Sequence, residues 1–300
     1  MQYLESFTFP TGEEELDFLL NYPYQLEMGC YAHNDVYPFK LLPDMGLRRL
    51  DFAPVTILCG SNGSGKSTVL NLIAEKLRLR RAAPFNNTPY FTDYLARCRY
   101  ELMPTVRHLP QESEILTSDG VFDFLLDLRA INEGVDRRRE ELFREYEATR
   151  NVYGTNDGFQ MRSLSDYEEL KRRNEIRSST KSAYVSKRLP KELSGRSNGE
   201  SAFVYFTQKI GEGALYLLDE PENSLSAGLQ RQLVEFLTDS VRFYRCQFII
   251  STHSPFLLSM RDARIYDLDA RPVAEKRWTE LPHVREYYTL FHTREREFER

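Results

Sequence analysis

Residues 60–68 decide the fold of this chain, and they read Gly60-Ser61-Asn62-Gly63-Ser64-Gly65-Lys66-Ser67-Thr68. They fit the phosphate-binding pattern G-x-x-x-x-G-K-[ST]. An apolar run at 55–58 precedes them and apolar residues at helical spacing follow at 69–77, so the glycines join a buried strand to a helix. Backbone N–H groups of such a loop converge on phosphate, and the helix N-terminus adds partial positive charge. We expect all nine residues to contact a nucleotide, with Lys66 reaching the β- and γ-phosphates and Ser67 ligating magnesium.

A second apolar run, residues 214–218, ends in the acid pair Asp219-Glu220. Nucleotide hydrolysis needs a carboxylate at the end of a neighbouring strand for the metal ion and a further group to orient the attacking water. The pattern assigns the metal to Asp219 and the water to Glu220. A third run, 246–250, leads to His253, whose neutral imidazole can hydrogen-bond a phosphate or the water.

Together these segments resemble an ATPase of the ATP-binding-cassette (ABC) superfamily, in its compact cytosolic SMC/RecF/OLD-type branch of AAA-family ATPases. Asn62 gives the loop the GxNGSGKS form common in that branch, and DEPEN at 219–223 and STHSP at 251–255 favour the same branch over transporter subunits. The resemblance runs from about Tyr37 to the C-terminal tail. It implies an α/β P-loop NTPase fold of the ABC-ATPase type, with a mainly parallel core sheet flanked by helices, an N-terminal antiparallel β subdomain and an inserted helical lobe.

The resemblance assigns two further segments to the site. Gln111, in LPQES, matches the position at which the family senses the metal ion and the γ-phosphate. The signature segment, which caps the γ-phosphate of the opposite subunit, has two candidates at 193–195 and 196–200. We favour the second, because Ser197 and Gly199 lead directly into an apolar helix pattern and stand at its N-terminus.

Two more assignments come from the resemblance. Residues 221–226 match the D-loop, which runs along the dimer interface in the family, although Ser226 replaces the common aspartate. His253 matches the switch histidine. An aromatic ring that stacks on adenine would be Tyr37 or Phe39, and a place in the core explains these two rings at least as well.

We expect a single ABC-type ATPase domain over 1–300, built from three regions. Residues 1–58 are β-rich, and QYLESFTF, YPFKLL and LRRLDF each predict a strand. Residues 112–196 are charged and helix-forming with a narrow apolar stripe, so we expect them to form the inserted lobe. Residues 197–300 carry the signature, acid pair, D-loop and histidine, and they end in a hairpin at ARIYDLDARPV and a helix.

Composition narrows the class of protein. The 40 Lys and Arg against 45 Asp and Glu give a net charge of −5, which excludes a polycation that coats nucleic acid or membrane. The four cysteines lie far apart without CxxC spacing, which predicts reduced thiols and disfavours a cysteine metal site. No window approaches the roughly 18 apolar residues of a membrane span. We expect a cytoplasmic protein without a transmembrane segment.

The family resemblance implies how such a chain works. One chain holds half of each site, so we expect a head-to-tail homodimer that closes on two Mg-ATP and opens after hydrolysis. Residues 171–196 carry nine Lys or Arg against two Glu, and they are either a solvated face or a place for nucleic acid or an effector protein. We expect a switch that gates a nucleic-acid-related or anti-phage defence effector.

Two other classes of function compete with this interpretation. The first is the nucleotide-binding subunit of a membrane ABC transporter, which would need a permease and a coupling surface near Gln111. The second is a small-molecule kinase on a P-loop scaffold, which the signature and histidine segments disfavour.

Overall fold

The computed structural model describes residues 1–21, 36–85, 87–88, 90–153 and 197–298. The chain forms two compact units, the first made of Met1–Phe122 with Asn198–Arg300 and the second of Asp123–Ser197. Within the described ranges the strands are β1 Leu4–Thr8, β2 Arg49–Asp51, β3 Val55–Cys59, β4 Arg80–Arg81, β5 Arg99–Leu102, β6 Glu114–Thr117, β7 Leu215–Asp219, β8 Gln247–Ser251, β9 Arg264–Asp267 and β10 Ala274–Glu275. The α-helices are α1 Gly12–Asn21, α2 Leu41–Asp44, α3 Lys66–Leu77, α4 Phe91–Arg97, α5 Ser118–Tyr153, α6 Asn198–Lys209, α7 Ala227–Phe243, α8 Pro255–Leu258 and α9 Pro282–Thr293.

The central sheet of the first unit contains seven strands of the described chain, in the order β10-β9-β3-β8-β7-β6-β4. All neighbours pair in parallel except β10, which pairs antiparallel with β9 as the predicted hairpin. Every residue of β3 and β8 is buried, because helices cover both faces of a parallel sheet. The apolar runs at 55–58, 214–218 and 246–250 are strands, as predicted. The expectation of an α/β P-loop NTPase fold with a mainly parallel sheet is confirmed.

A smaller antiparallel sheet, in the order β2-β1-β5, forms the N-terminal β subdomain. The fully buried Gln247 joins it to the central sheet. Its Oε1 accepts hydrogen bonds from the backbone N–H groups of Tyr3 and Leu4, both at 2.8 Å, and its Nε2 donates to the carbonyls of Leu4 at 2.9 Å and Ala53 at 3.1 Å. A buried amide is tolerated here because all of its polar atoms have partners.

The predicted strand at YPFKLL is wrong. Residues 37–40 form a turn, and the short helix α2 follows at Leu41–Asp44. Pro38, within YPFKLL, lacks the N–H group that a strand would need for its ladder, and Lys40 has a left-handed φ of 68° that a strand does not adopt. Helix α1 also lies within the region that we expected to be β-rich.

The second unit contains most of α5, a 36-residue helix that begins at Ser118. Its charged face carries i,i+3 and i,i+4 ion pairs, such as Arg138–Glu141 at 2.9 Å, which suit a solvated helix. We expected the lobe to begin at residue 112, but β6 at Glu114–Thr117 belongs to the central sheet. In the portion of the chain that the structure describes, no helix is long and apolar enough to cross a membrane.

Candidate nucleotide site

Four neighbouring strands of the central sheet end at one edge, and each is followed by polar residues. Strands β9, β3, β8 and β7 are adjacent and parallel, so their carboxyl ends share this edge. The glycine-rich loop 60–65 follows β3, Asp219 ends β7, His253 follows β8, and Asp269 follows β9. Ligands of open α/β sheets bind outside the carboxyl ends of the strands, so this edge is the candidate site.

The loop after β3 has the backbone that a phosphate-binding loop needs. Gly63 and Gly65 have φ values of 82° and 88°, which only glycine adopts readily, and Gly65 is the N-cap of α3. Lys66 is the first residue of that helix and only 4% exposed. Its Nζ donates to the carbonyls of Gly60 at 2.8 Å and Ser61 at 3.0 Å, which holds the ammonium inside the loop.

Ser67 and Asp219 form a pair of oxygen ligands. Ser67 Oγ donates to Asp219 Oδ1 at 3.1 Å, although 152 positions separate the residues, and Ser251 Oγ donates to the same oxygen. Burial raises the pKa of the Asp219 carboxyl above its usual range, against the effect of these two hydrogen bonds. Hydroxyl and carboxylate oxygens are the ligands that Mg²⁺ prefers, and a cation would favour the ionised form of a buried acid. The pair therefore fits a magnesium ion.

Glu220 is held in an unusual conformation next to Asp219. Its φ is 48°, a left-handed value that costs a non-glycine residue on the order of 1–3 kcal/mol, and such strain is concentrated at functional sites. The backbone N–H of Glu220 donates to the carbonyl of Ser251 at 3.0 Å. Its carboxylate accepts from Asn223 Nδ2 at 3.0 Å and lies 3.5 Å from Lys66 Nζ. The strained turn thus places the acid beside Lys66, the first residue of α3.

A cavity of about 890 Å³ lies over these groups. Its lining includes Ser67, Thr68, Asp219 and Glu220. Tyr37 also lines it, and the Tyr37 hydroxyl donates to Thr68 Oγ1 at 3.1 Å. The other adenine candidate, Phe39, is 4% exposed and packs in the core, so it is not available to stack on a base.

His253 lies at a second cavity, of about 550 Å³. Gly60, Ser61 and Asn62 line this cavity together with His253 and with His283 of α9. Burial lowers the pKa of His283, and the neighbouring His253 lowers it further. The structure therefore brings His253 to a cavity that the first residues of the loop 60–65 also line, and its contact with the γ-phosphate stays a prediction.

The preferred signature segment leads into α6, which begins at Asn198. A Cβ on Gly199 would lie 3.0 Å from the carbonyl oxygen of Ser224 in the D-loop and 3.1 Å from Leu229 Cδ1. The start of α6 therefore lies close to the segment 221–226, and a side chain at 199 would crowd it. Ser197 is the residue before the helix. The alternative candidate at 193–195, Arg196 and the basic segment 171–196 lie outside the described residues.

The prediction that Gln111 senses metal and γ-phosphate is corrected by the topology. Gln111 is exposed and precedes β6, so it lies near the amino end of that strand. Because β6 is parallel to β7, this end lies at the edge of the sheet opposite Asp219. The last residue of β6, Thr117, and the two residues that follow it, Ser118 and Asp119, line the larger cavity instead.

Asp269 is a residue of the site that motif reasoning missed. Its Oδ2 accepts from the backbone N–H of Ser61 at 2.7 Å, and its Oδ1 accepts from Ser61 Oγ at 2.8 Å. The carboxylate thus tethers the start of the phosphate-binding loop to the strand beside it. The sequence does show an acid soon after the apolar run of β9. Its contact with the loop could not be predicted, because it depends on β9 lying next to β3 in the sheet.

Replacing Asp269 with alanine is expected to lower the free energy of unfolding by about 1 kcal/mol, because both hydrogen bonds to Ser61 are lost at an exposed position. Urea denaturation measures the change. Asp239→Ala, an exposed aspartate on α7, serves as the control and should change stability by less than about 0.5 kcal/mol. Equal stabilities for the two variants would contradict a tethering role.

One known protein family matches this chain in sequence. Residues 78–259, more than half of the chain, match the family described as "AAA domain, putative AbiEii toxin, Type IV TA system". No curated protein matches the chain.

Three solved structures illustrate the likeness in fold. An Smc head bound to the C-winged helix domain of ScpA is 17% identical over 76% of this chain and 93% of that chain, with a TM-score of 0.38. An Smc head domain with an extended coiled coil, bound to the C-terminal domain of ScpA derived from Pyrococcus furiosus, is 15% identical over 80% and 95%, with a TM-score of 0.36. The ATP-binding cassette MJ0796, a dimer bound to ADP and Pi, is 15% identical over 78% and 90%, with a TM-score of 0.35.

Proposed function

We propose, since this chain belongs to the AAA-domain family that its residues 78–259 match, that it is an ATPase of the ABC and SMC kind that converts ATP and water to ADP and phosphate. One observation carries the proposal. Side chains from two distant segments converge, with Ser67 Oγ 3.1 Å from Asp219 and Lys66 Nζ 3.5 Å from Glu220. Release of phosphate from ATP, with and without Mg²⁺, tests the activity, and a purified protein without Mg²⁺-dependent turnover would refute it.

The chemistry requires positioning and neutralisation of charge rather than a covalent intermediate. The loop 60–68 binds the phosphates, and Lys66 supplies a positive charge to the β- and γ-phosphates. Ser67 and Asp219 would hold Mg²⁺, which when bound neutralises charge on the phosphate oxygens. The oxygen of the attacking water bonds to the γ-phosphorus, and the bond from that phosphorus to the β-phosphate oxygen breaks. Glu220 accepts the proton that the water loses. His253 orients the water or the γ-phosphate.

ATP-dependent dimerisation is the second element of the proposal. Among the described residues that line the cavity at Ser67 and Glu220, none belongs to the signature segment at 197–199. A second copy arranged head to tail would bring its own Ser197 and Gly199 over the γ-phosphate, where the N-terminus of α6 favours an anion. Each site is then complete only in the dimer, and hydrolysis opens it.

We also propose that the switch gates an effector that acts on nucleic acid, as in defence against phage, in the cytoplasm. The support is the sequence of residues 171–196, whose net charge of +7 suits a phosphate backbone. The membership in an AAA-domain family favours this class over a transporter subunit.

Neutralising Lys171, Arg172 and Arg173 with glutamine is expected to weaken binding to DNA or RNA and to reduce its salt dependence by a slope of about 3, because three phosphate contacts are lost. Fluorescence anisotropy at several salt concentrations, with and without ATP, measures both. The matched control neutralises another run of three basic residues, Arg137, Arg138 and Arg139, and should leave binding unchanged. No binding by the wild-type protein at low salt would refute the proposal.

A further inference from the structure

Glu222 is a buried carboxylate that the proposed reaction does not use. Its side chain is 5% exposed, and it lies in the D-loop two residues after Glu220. Its Oε1 accepts hydrogen bonds from Thr252 Oγ1 at 2.5 Å, from the backbone N–H of His253 at 2.9 Å and from that of Ser254 at 3.2 Å. One carboxylate oxygen therefore accepts hydrogen bonds from three consecutive residues, 252–254, which we call the histidine loop.

The imidazole of His253 faces the same oxygen. Its Nδ1 lies 3.4 Å from Glu222 Oε1, while half of the His253 side chain is exposed at the cavity that Ser61 and Asn62 also line. A carboxylate at this distance favours the neutral tautomer with the proton on Nδ1, because the N–H dipole is attracted to the negative oxygen, and Nε2 is then left to accept a hydrogen bond. Glu222 is thus placed to set both the backbone and the ring of His253.

The energetic setting of Glu222 indicates more than a packing role. A carboxylate that leaves water costs several kcal/mol unless it is paired and hydrogen-bonded. Within the described ranges, Oε2 of Glu222 is buried without a hydrogen-bond partner, and the ionisable base beside Glu222 is His253. A glutamine would satisfy the same backbone donors without the cost of a buried charge. We therefore attribute the charge of Glu222 to its interaction with the ring of His253.

We propose that Glu222 is a positioning residue for His253, through which the D-loop controls the switch histidine of its own subunit. The inference rests on the proposed function, because His253 acts there on the water or the γ-phosphate. When a second copy presses on the D-loop at 221–226, Glu222 transmits the movement to the histidine loop at 252–254. ATP turnover then depends on the partner through the contact between Glu222 and His253, which a single substitution at Glu222 removes.

A double-mutant cycle tests the coupling. We expect Glu222→Gln to lower kcat about tenfold, within the range for residues that orient a functional ligand, and to leave the KM for ATP within about twofold. His253→Ala should also lower kcat, and the double variant should be no slower than His253→Ala alone, because Glu222 acts through the ring. Independent, multiplying effects or an unchanged kcat in Glu222→Gln would overturn the proposal.

Gln230 provides a matched control, since it links the same two loops without touching His253. Its Nε2 donates to the carbonyl of Leu225 at 2.9 Å, and its Oε1 accepts from Ser254 Oγ at 2.7 Å. Gln230→Met should lower thermal stability while kcat stays within about twofold of wild type. A tenfold loss of kcat in this variant would assign the effect to general loosening of the loops and overturn the specific role of Glu222.

A measurement on the wild-type protein keeps the inference testable even if Glu222→Gln fails to fold. Long-range ¹H–¹⁵N NMR of histidine-labelled protein, with His253 assigned by comparison with His253→Ala, reports the tautomer at neutral ring charge. We expect the proton on Nδ1, and a proton on Nε2 would overturn the proposal. This readout does not need hydrolysis, so a wild-type protein without ATPase activity would refute the proposed function and leave the positioning of His253 to be judged on its own.

Discussion

Lys66→Ala is expected to weaken the binding of Mg-ATP at least about 100-fold, which corresponds to roughly 2.7 kcal/mol. The ammonium of Lys66 is the cation that lies inside the loop, held by the carbonyls of Gly60 and Ser61 and only 4% exposed. A charge-assisted contact with phosphate contributes about 1.5–3 kcal/mol, and low solvent exposure reduces its screening. Isothermal titration calorimetry measures the loss directly.

Lys76→Ala is the matched control for Lys66→Ala, because it removes a lysine from the same helix, at its other end. The Lys76 ammonium donates to the carbonyl of Leu95 at 2.7 Å, away from the loop. We expect this variant to lose about 1 kcal/mol of stability and to keep its affinity for ATP. If Lys66→Ala bound ATP as tightly as Lys76→Ala, residues 60–68 would not be the nucleotide site.

Glu220→Gln is expected to lower kcat about 100-fold or more and to trap the ATP-bound dimer. The amide keeps the shape of the side chain and can still accept the hydrogen bond from Asn223, but it cannot take a proton from water. Binding should survive, since we expect Lys66 and the loop to hold the phosphates. Phosphate release measures turnover, and size-exclusion chromatography with light scattering measures the mass with saturating Mg-ATP.

The control for Glu220→Gln is Glu212→Gln, which changes an exposed glutamate that precedes β7, at the opposite end of the strand that Asp219 ends. It should hydrolyse ATP at the wild-type rate. A Glu220→Gln protein that remains monomeric with bound Mg-ATP would contradict the dimer, and one that turns over normally would contradict the role of Glu220 as the base.

Local patterns predicted the elements of the site that depend on one strand and the residues beside it. The loop 60–68 follows β3, the acid pair ends β7, and His253 follows β8, each as expected from an apolar run with polar residues behind it. Such segments can be predicted from the sequence because strand burial and turn conformation depend on neighbouring residues. The predicted strand at YPFKLL failed for a local reason too, since its aromatic residues favour a strand while Pro38 lacks the donor that a strand requires.

Gln111 was misplaced because a loop position says nothing about which end of a strand it flanks. The order of motifs along the chain put Gln111 between the phosphate-binding loop and the lobe, which suited the resemblance. The strand β6, at Glu114–Thr117, begins after Gln111, so the residues at the site edge are those that follow Thr117. A four-residue strand with the sequence EILT is too short and too mixed to be recognised from its periodicity.

The sequence by itself determined that a glycine-rich loop, an acid pair and a histidine each lie at the end of a buried strand. Only the tertiary structure decided which distant residues contact these segments. Asp269 meets Ser61 across 208 positions, and Glu222 meets the loop of His253 across about 30. The physical reason is that periodicity and turn signals act over a few residues, whereas the order of parallel strands in a sheet is set by packing between distant segments.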